Sequence, residues 1–144
     1  MPALRFKSAA ARLQAQRPSR LMVMNAVLVA AGGALGALLR WSLAPHADAQ
    51  GLPWGTLVVN LIGSLLLGVL TVLLAESVLS REQALLFGTG LLGAFTTMST
   101  FAVELVRLMD AGEAGVAAVY LAVTVVGCPL LAWAGWAATA NAMP

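Results

Sequence analysis

Hydroxyl side chains concentrate in residues 93–101, GAFTTMSTF, in the middle of a long apolar run. Thr96, Thr97, Ser99 and Thr100 occupy four of five consecutive positions there. Glycine followed by β-branched threonines makes a poor helix interior, so this stretch predicts a break or an unwound turn. Carbonyls freed by such a break need a partner in place of water, and a cation is one such partner.

Weakly polar residues recur every fourth position in three of the apolar runs. Because residues four apart share one face of a helix, each set predicts a polar stripe, and Thr97 and Ser99 are predicted to point elsewhere. A single Ser or Thr most often bonds its own helix, whereas an unpaired amide in hydrocarbon is costly. The sets are Thr56, Asn60 and Ser64; Thr96, Thr100 and Glu104; and Tyr120, Thr124 and Cys128.

Neutral donors of this kind suit a small anion. Proton-coupled transport usually places an acid or a histidine inside the membrane, and here the only candidate is Glu104, at the edge of its run. Each hydrogen bond to a charged group returns about 1.5–3 kcal/mol. Successive donors therefore replace much of a hydration shell without binding the ion too tightly, and Arg40 at the mouth could gather anions.

The aromatic residues Phe95 and Phe101 flank the predicted break. The edge of a benzene ring is positive, so a ring presented edge-on can face an anion. Enzyme motifs are missing: the sequence has no HExxH, no phosphate loop and no Ser–His pair at depth. The chain is therefore predicted not to be an enzyme. Cys128 is the only cysteine, which excludes an intramolecular disulfide.

The composition belongs to the membrane class. Of 144 residues, 60% are hydrophobic and 10% are charged, against about 25% charged in soluble domains, and the mean hydropathy is +0.90. Four uncharged runs reach the roughly 20 residues that cross a bilayer. We therefore predict an all-α membrane protein with four transmembrane helices, the third of them broken. The runs are residues 21–39, 55–75, 84–103 and 114–140.

Two local features concern helix geometry. Gly32 and Gly36 share a face, and small residues at that spacing allow close helix packing in lipid. Pro129 lies inside the fourth run and is expected to kink that helix.

The first twenty residues hold five of the eight basic residues and no acid. The run after them is longer than the apolar core of a signal peptide, about 7–15 residues, so we expect it to be retained. With Arg81, the N-terminal side carries six basic residues against Arg40 and Arg107 on the other, which would fix the N-terminus inside. A start at Met22 or Met24 leaves one against two. Residues 1–21 are therefore expected to be a mis-set start or a dispensable tail before a channel domain at 22–144.

Three motifs, GGALGALLRW, GTLVVNLIGSLLLG and GTGLLGAFTTMSTFAVE, occur in this order. With them the chain resembles the fluoride channels called Fluc or CrcB, from about residue 24 to the C-terminus. The resemblance implies a dual-topology antiparallel homodimer with two fluoride pores in a bacterial inner membrane. It also implies passive export of fluoride that relieves fluoride toxicity. Its expected partners are fluoride, lipid and a second copy of the chain, not nucleic acid.

The resemblance also assigns roles to residues. The carbonyls of Gly93 and Thr96 would bind a structural Na⁺ at the dimer centre, doubled to four ligands by the second subunit. Arg40 and Glu104 match polar residues near the pore entrances, and Cys128 falls where a hydroxyl is expected. The residues implied in the fluoride pathway are Asn60, Ser64, Met98, Thr100, Phe101, Tyr120 and Thr124.

One departure from the family pattern lies in that pathway. The family reads TTFSTF where this chain reads TTMSTF, so Met98 replaces the first pore phenylalanine. A thioether is polarisable but lacks the positive edge of a ring. We expect conduction to survive with an altered rate, and Phe95 lies one step outside the phenylalanine pair.

Two other functions remain open from the residues alone. A small dual-topology multidrug exporter would need a carboxylate in the first run, which has none. A non-transporting scaffold, in which the stripes only hold helices together, predicts no anion flux and tolerance of Asn60→Leu.

Overall fold

A computed structural model describes residues 20–43 and 51–143, and every regular element in those ranges is helical. Most of the predicted tail lies outside the described residues, and so does His46, to which the sequence assigns no role. The elements are α1 (Arg20–Leu43), α2 (Trp54–Ala75), α3 (residues 81–95), α4 (Met98–Asp110) and α5 (Ala114–Ala142).

Four helical spans are long and apolar enough to cross a membrane, counting α3 and α4 together as Arg81–Asp110. This confirms the predicted number of spans. The helices extend past the predicted bounds, since α1 includes Arg40 and α4 includes Glu104 and Arg107. The prediction ended each span at the first charge, but backbone hydrogen bonding continues through Arg40 and Arg107, whose long side chains can reach toward water, and through Glu104, which is buried.

The predicted break in the third span lies at two residues. Thr96 has φ −79° and ψ 155°, and Thr97 has φ −151° and ψ 114°, both extended. The last turn of α3, Gly93–Phe95, ends directly before them and α4 begins directly after them. Two extended residues are enough to interrupt the ladder of i to i+4 hydrogen bonds.

Most of α3 is a π-helix, which the sequence did not predict. One α-helical turn, Arg81–Gln83, starts it, and Ser80 and Gln83 form a reciprocal capping box there. The π-helical segment Ala84–Leu92 follows and leads into the final turn. π-helical segments are rare and occur frequently at functional sites.

Helix α1 packs closely against the π-helical segment. A Cβ atom at Gly32 would collide with the carbonyl oxygen of Leu86, and one at Gly36 would collide with that of Leu91. The predicted small-residue contact is therefore present, and it joins α1 to α3 through backbone atoms.

A second close contact joins α2 and α5. A Cβ at Gly68 would collide with the carbonyl oxygen of Ala132, and one at Gly135 would collide with that of Leu65. Helix α5 continues without interruption through Pro129. Helices α2 and α5 are therefore close neighbours, and residues from both of their polar stripes lie beside the break.

Candidate functional site

Asn60 of α2 bridges the broken backbone. Its Oδ1 accepts a hydrogen bond from the Thr97 N–H at 2.7 Å, and its Nδ2 donates one to the Thr97 carbonyl at 3.1 Å. The Asn60 side chain is buried, with 7% of its surface exposed. The carboxamide thus replaces the Gly93 carbonyl as acceptor of the Thr97 N–H and adds a donor to the Thr97 carbonyl.

Thr97 also caps the second half of the span. Its Oγ1 accepts from the Thr100 N–H at 3.2 Å and donates to Thr100 Oγ1 at 3.0 Å. Sequence reasoning was wrong to point Thr97 away from the site, since Thr97 is buried and lies at its centre. A threonine placed directly before a helical run is an N-cap signal that could have identified it.

The break also separates Thr96 from the stripe that the sequence predicted. Thr100 and Glu104 do not continue its face, because the helical register is interrupted between Thr96 and Met98. Thr96 Oγ1 instead donates to the Leu92 carbonyl at 3.1 Å. The spacing of four predicts a shared face only inside one uninterrupted helix.

The two carbonyls predicted to bind Na⁺ lose their usual donors at the break. In a continuous helix the Gly93 carbonyl would accept from the Thr97 N–H, which here goes to Asn60. The Thr96 carbonyl would accept from the Thr100 N–H, which here goes to the Thr97 hydroxyl. Neutral carbonyl oxygens freed in this way are ligands suited to a hard cation.

Side-chain carboxylates do not provide an alternative metal site nearby. Within residues 20–43 and 51–143, no group of three or more His, Cys, Asp or Glu side chains is arranged to hold a metal. A cation bound at the break would therefore be held by neutral oxygens, among them the freed backbone carbonyls.

A groove of about 390 Å³ opens beside the break, between α2 and α5. It gathers four of the predicted fluoride-pathway residues, Asn60, Ser64, Met98 and Thr124, and we call it the break groove. Its lining consists of Asn60, Gly63, Ser64, Leu67, Thr96, Thr97, Met98, Thr124, Val125, Cys128 and Pro129.

Thr124 has a hydroxyl without a partner. The residue is 6% exposed, and in the part of the chain that the structure describes its Oγ1 is the one buried side-chain nitrogen or oxygen atom without a hydrogen bond. A threonine in a helix usually bonds a carbonyl one turn back, as Thr139 does with Gly135. A buried hydroxyl of this kind that lines a groove is free to donate to a water molecule or an ion in that groove.

A second polar cluster surrounds Glu104, which is 8% exposed. Thr56 Oγ1 donates to its Oε1 at 2.8 Å, and the Tyr120 hydroxyl donates to its Oε2 at 2.6 Å. The stripes of α2 and α5 therefore both end on one carboxylate of α4. Burial of this carboxylate is made tolerable by two short charge-assisted hydrogen bonds.

Two predicted pathway residues lie in this second cluster and not in the lining of the break groove. The rings of Phe101 and Tyr120 meet edge to face, with centroids 4.9 Å apart and an interplanar angle of 62°. Both side chains are buried. Thr100, exposed and bonded to Thr97, precedes Phe101 in the sequence, and half-buried Arg40 lies in the last turn of α1.

Known proteins resemble this chain in sequence over most of its length. A sequence profile described as "CrcB-like protein, Camphor Resistance (CrcB)" matches residues 27–136, which include the break, the break groove and the polar cluster around Glu104. The chain belongs to the CrcB family. With its four long apolar helices, this CrcB-family member is a multi-pass membrane protein.

Curated relatives of the chain carry functional names. It is 45% identical over 111 residues to "Fluoride-specific ion channel FluC 1" of Halobacterium salinarum, covering 77% of this chain and 90% of that one. It is 38% identical to "Fluoride-specific ion channel FluC" of Agrobacterium fabrum, covering 83% and 98%. A protein of the same name from Aromatoleum aromaticum is 46% identical, covering 76% and 86%. These relatives are named as channels, in agreement with the prediction that the chain is not an enzyme.

Proposed function

We propose that the chain is a fluoride-selective passive channel that lets F⁻ leave the cytoplasm and so relieves fluoride toxicity. The observation that carries this proposal is the buried, unpartnered hydroxyl of Thr124 in a groove of neutral donors. Membership of a family whose curated relatives are named fluoride-specific channels supports it. We place the chain in the bacterial inner membrane.

The donors of the break groove fit the needs of a small anion. Asn60 has a second amide hydrogen beyond the one given to Thr97, and Ser64 and Thr124 each add a hydroxyl. A dehydrated anion in low dielectric loses tens of kcal/mol of solvation, and several donors of about 1.5–3 kcal/mol each offset part of that loss. None of them carries a fixed positive charge that would hold the ion in place.

Passive export follows from the chemistry of hydrogen fluoride. The neutral acid crosses lipid and dissociates inside the cell, which leaves an ion that cannot cross without a path. We propose that this path continues from the break groove by way of Thr100 to the edge-to-face pair of Phe101 and Tyr120. Glu104 and Arg40 would then lie toward its entrances.

We further propose that Na⁺ binds at the break. The carbonyls of Gly93 and Thr96 would hold it, and the cation would supply fixed positive charge that stabilises the interrupted backbone. The fit is supported by the diversion of both helical donors to Asn60 and Thr97. A single chain offers two such carbonyls, fewer than a hard cation takes.

A dual-topology antiparallel homodimer, formed by subunits without the basic residues 1–21, would complete that site. Gly93 is exposed, so a second copy can bring its own pair of carbonyls to the same cation. A two-fold axis in the membrane plane makes such an interface isologous. Each subunit would then contribute to both fluoride pathways.

Fluoride efflux from liposomes tests the proposed function. Purified protein is reconstituted with potassium fluoride inside, and valinomycin balances the charge while a fluoride electrode records release. We expect fast fluoride release, and no chloride release from matched liposomes loaded with potassium chloride. A folded protein that releases neither ion, or releases both equally, would contradict the proposal.

A further inference from the structure

We propose a binding site for a soft monovalent metal ion, Cu(I) or Ag(I), in the break groove, with Cys128 and Met98 as its sulfur ligands. Both residues line this groove, although they belong to different elements. Met98 is the first residue of α4, and Cys128 lies in the middle of α5. Thiolate and thioether sulfur are the ligands that select Cu(I).

The two sulfur atoms are available for binding. Cys128 is a free thiol and is only partly buried. Met98 is 68% exposed, and its unbranched side chain has three rotatable bonds that adapt it to irregular gaps. The flexible thioether and the free thiol thus line the same groove.

A buried polar group without a partner lies beside the two sulfur atoms. Thr124 lies one helical turn before Cys128, on the same face of α5, and it also lines the groove. Its Oγ1 is buried and has no hydrogen-bond partner. The site thus offers two sulfur ligands and, beside them, a buried hydroxyl that is free to donate a hydrogen bond.

Binding is a coordination step without oxidation. The S–H bond of Cys128 breaks, its proton goes to the buffer, and the thiolate sulfur binds the metal while the Met98 sulfur donates a lone pair. The thiolate and the monovalent ion together are neutral. If the proposed channel function is correct, the metal stops fluoride by filling the groove and not by holding the anion electrostatically.

Binding is measured first on the full chain in detergent, without any flux. Cu(I), kept reduced by ascorbate, is titrated against the chromophoric chelator bathocuproine disulfonate in a buffer free of thiols. We expect one Cu(I) per chain. Cys128→Ser should abolish the competition, and Met98→Leu should weaken binding by about tenfold or more, equivalent to about 1.4 kcal/mol.

The matched control is Met109→Leu. Met109 is another exposed methionine of α4, but it lies outside the groove lining, so its replacement should leave the affinity unchanged. An affinity in Met98→Leu equal to that of the unaltered chain would overturn the two-sulfur site. Undiminished binding by a folded Cys128→Ser variant would overturn it as well.

Fluoride efflux gives the functional readout. Cu(I) should block efflux from liposomes that hold the unaltered chain and should leave Cys128→Ser liposomes unblocked. If the chain conducts no fluoride at all, the proposed function fails, and the chelator titration still decides the metal site. Efflux that is equally blocked in both chains would show that the metal acts elsewhere.

Discussion

Asn60 and Thr124 are both buried and polar, but only the Asn60 side chain has hydrogen-bond partners. Asn60 has its amide oxygen and one amide hydrogen paired with the Thr97 backbone, whereas the Thr124 hydroxyl has no partner. Asn60 is therefore part of the architecture, and Asn60→Leu cannot separate a channel from a scaffold. A substitution at Thr124 is instead expected to change transport without lowering stability.

Asn60→Leu should destabilise the protein. Leucine leaves the buried Thr97 N–H without its partner and removes one of the donors to the Thr97 carbonyl, and an unmet buried group costs about 1–3 kcal/mol. Thermal unfolding in detergent measures the loss as a lower Tm. The control is Ser64→Ala, one turn along the same stripe, which should unfold close to the unaltered chain; a Tm for Asn60→Leu equal to that control would contradict the bridging role.

Thr124→Val should reduce fluoride efflux without a loss of stability. Valine has nearly the same shape as threonine. Its second methyl group replaces a buried hydroxyl that has no hydrogen bond, so Tm should stay the same or rise. Loss of one donor of about 1.5–3 kcal/mol should lower the fluoride rate by tenfold or more. Efflux is measured beside Thr139→Val, whose hydroxyl bonds Gly135 outside the groove; full-rate efflux by Thr124→Val would remove Thr124 from the pathway.

At the scale of single residues, the sequence predicted that Asn60 needs a hydrogen-bond partner but did not identify that partner. The cost of an unpaired amide required a partner for Asn60, but the Thr97 backbone became that partner only through a contact between two helices. Spacing alone likewise grouped Tyr120 with Thr124. In the structure the Tyr120 hydroxyl donates to Glu104, whereas Thr124 lines the break groove.

At the scale of elements, the break was predictable because its cause is local. Three threonines and a glycine weaken a helix through their own propensities, and the extended residues fall among them, at Thr96 and Thr97. The π-helical segment Ala84–Leu92 was not predictable, since leucines and glycines are also compatible with an ordinary helix. The backbone of this π-helical segment is in close contact with α1.

Gly36→Ala should test that contact. The added methyl group would collide with the Leu91 carbonyl oxygen, and overpacking of this kind costs about 1–3 kcal/mol, seen as a lower Tm. The matched control adds the same methyl group at Gly115, where nothing lies within 4 Å. Gly115 is the second residue of α5, so Gly115→Ala should leave Tm unchanged or slightly higher; equal Tm values for the two variants would show that α1 does not pack on α3 in this way.

At the scale of the whole molecule, the distribution of basic residues bears on orientation. Even numbers of spans place both termini on one side, with Arg81 on that side and Arg40 and Arg107 on the other. The first twenty residues add five basic residues to the N-terminal side. Dual topology is favoured by near balance, which the count of six against two does not provide.

Removal of residues 1–21 should therefore change the orientation. The full chain should insert with its N-terminus mainly inside, and a chain beginning at Met22, with one basic residue against two, should insert in both directions. Protease accessibility of a C-terminal epitope in spheroplasts measures the two populations. Equal populations for both chains would contradict the charge argument and favour a tail without influence on topology.

The bridge between Asn60 and Thr97 has a consequence for biogenesis. The two residues are 37 positions apart, and α2 precedes the broken span in the order of synthesis. Asn60 is thus already available in the membrane when the ribosome delivers Thr97. When the spans enter the membrane in the order of their synthesis, the partner of the Thr97 N–H is therefore in place before Thr97 itself arrives.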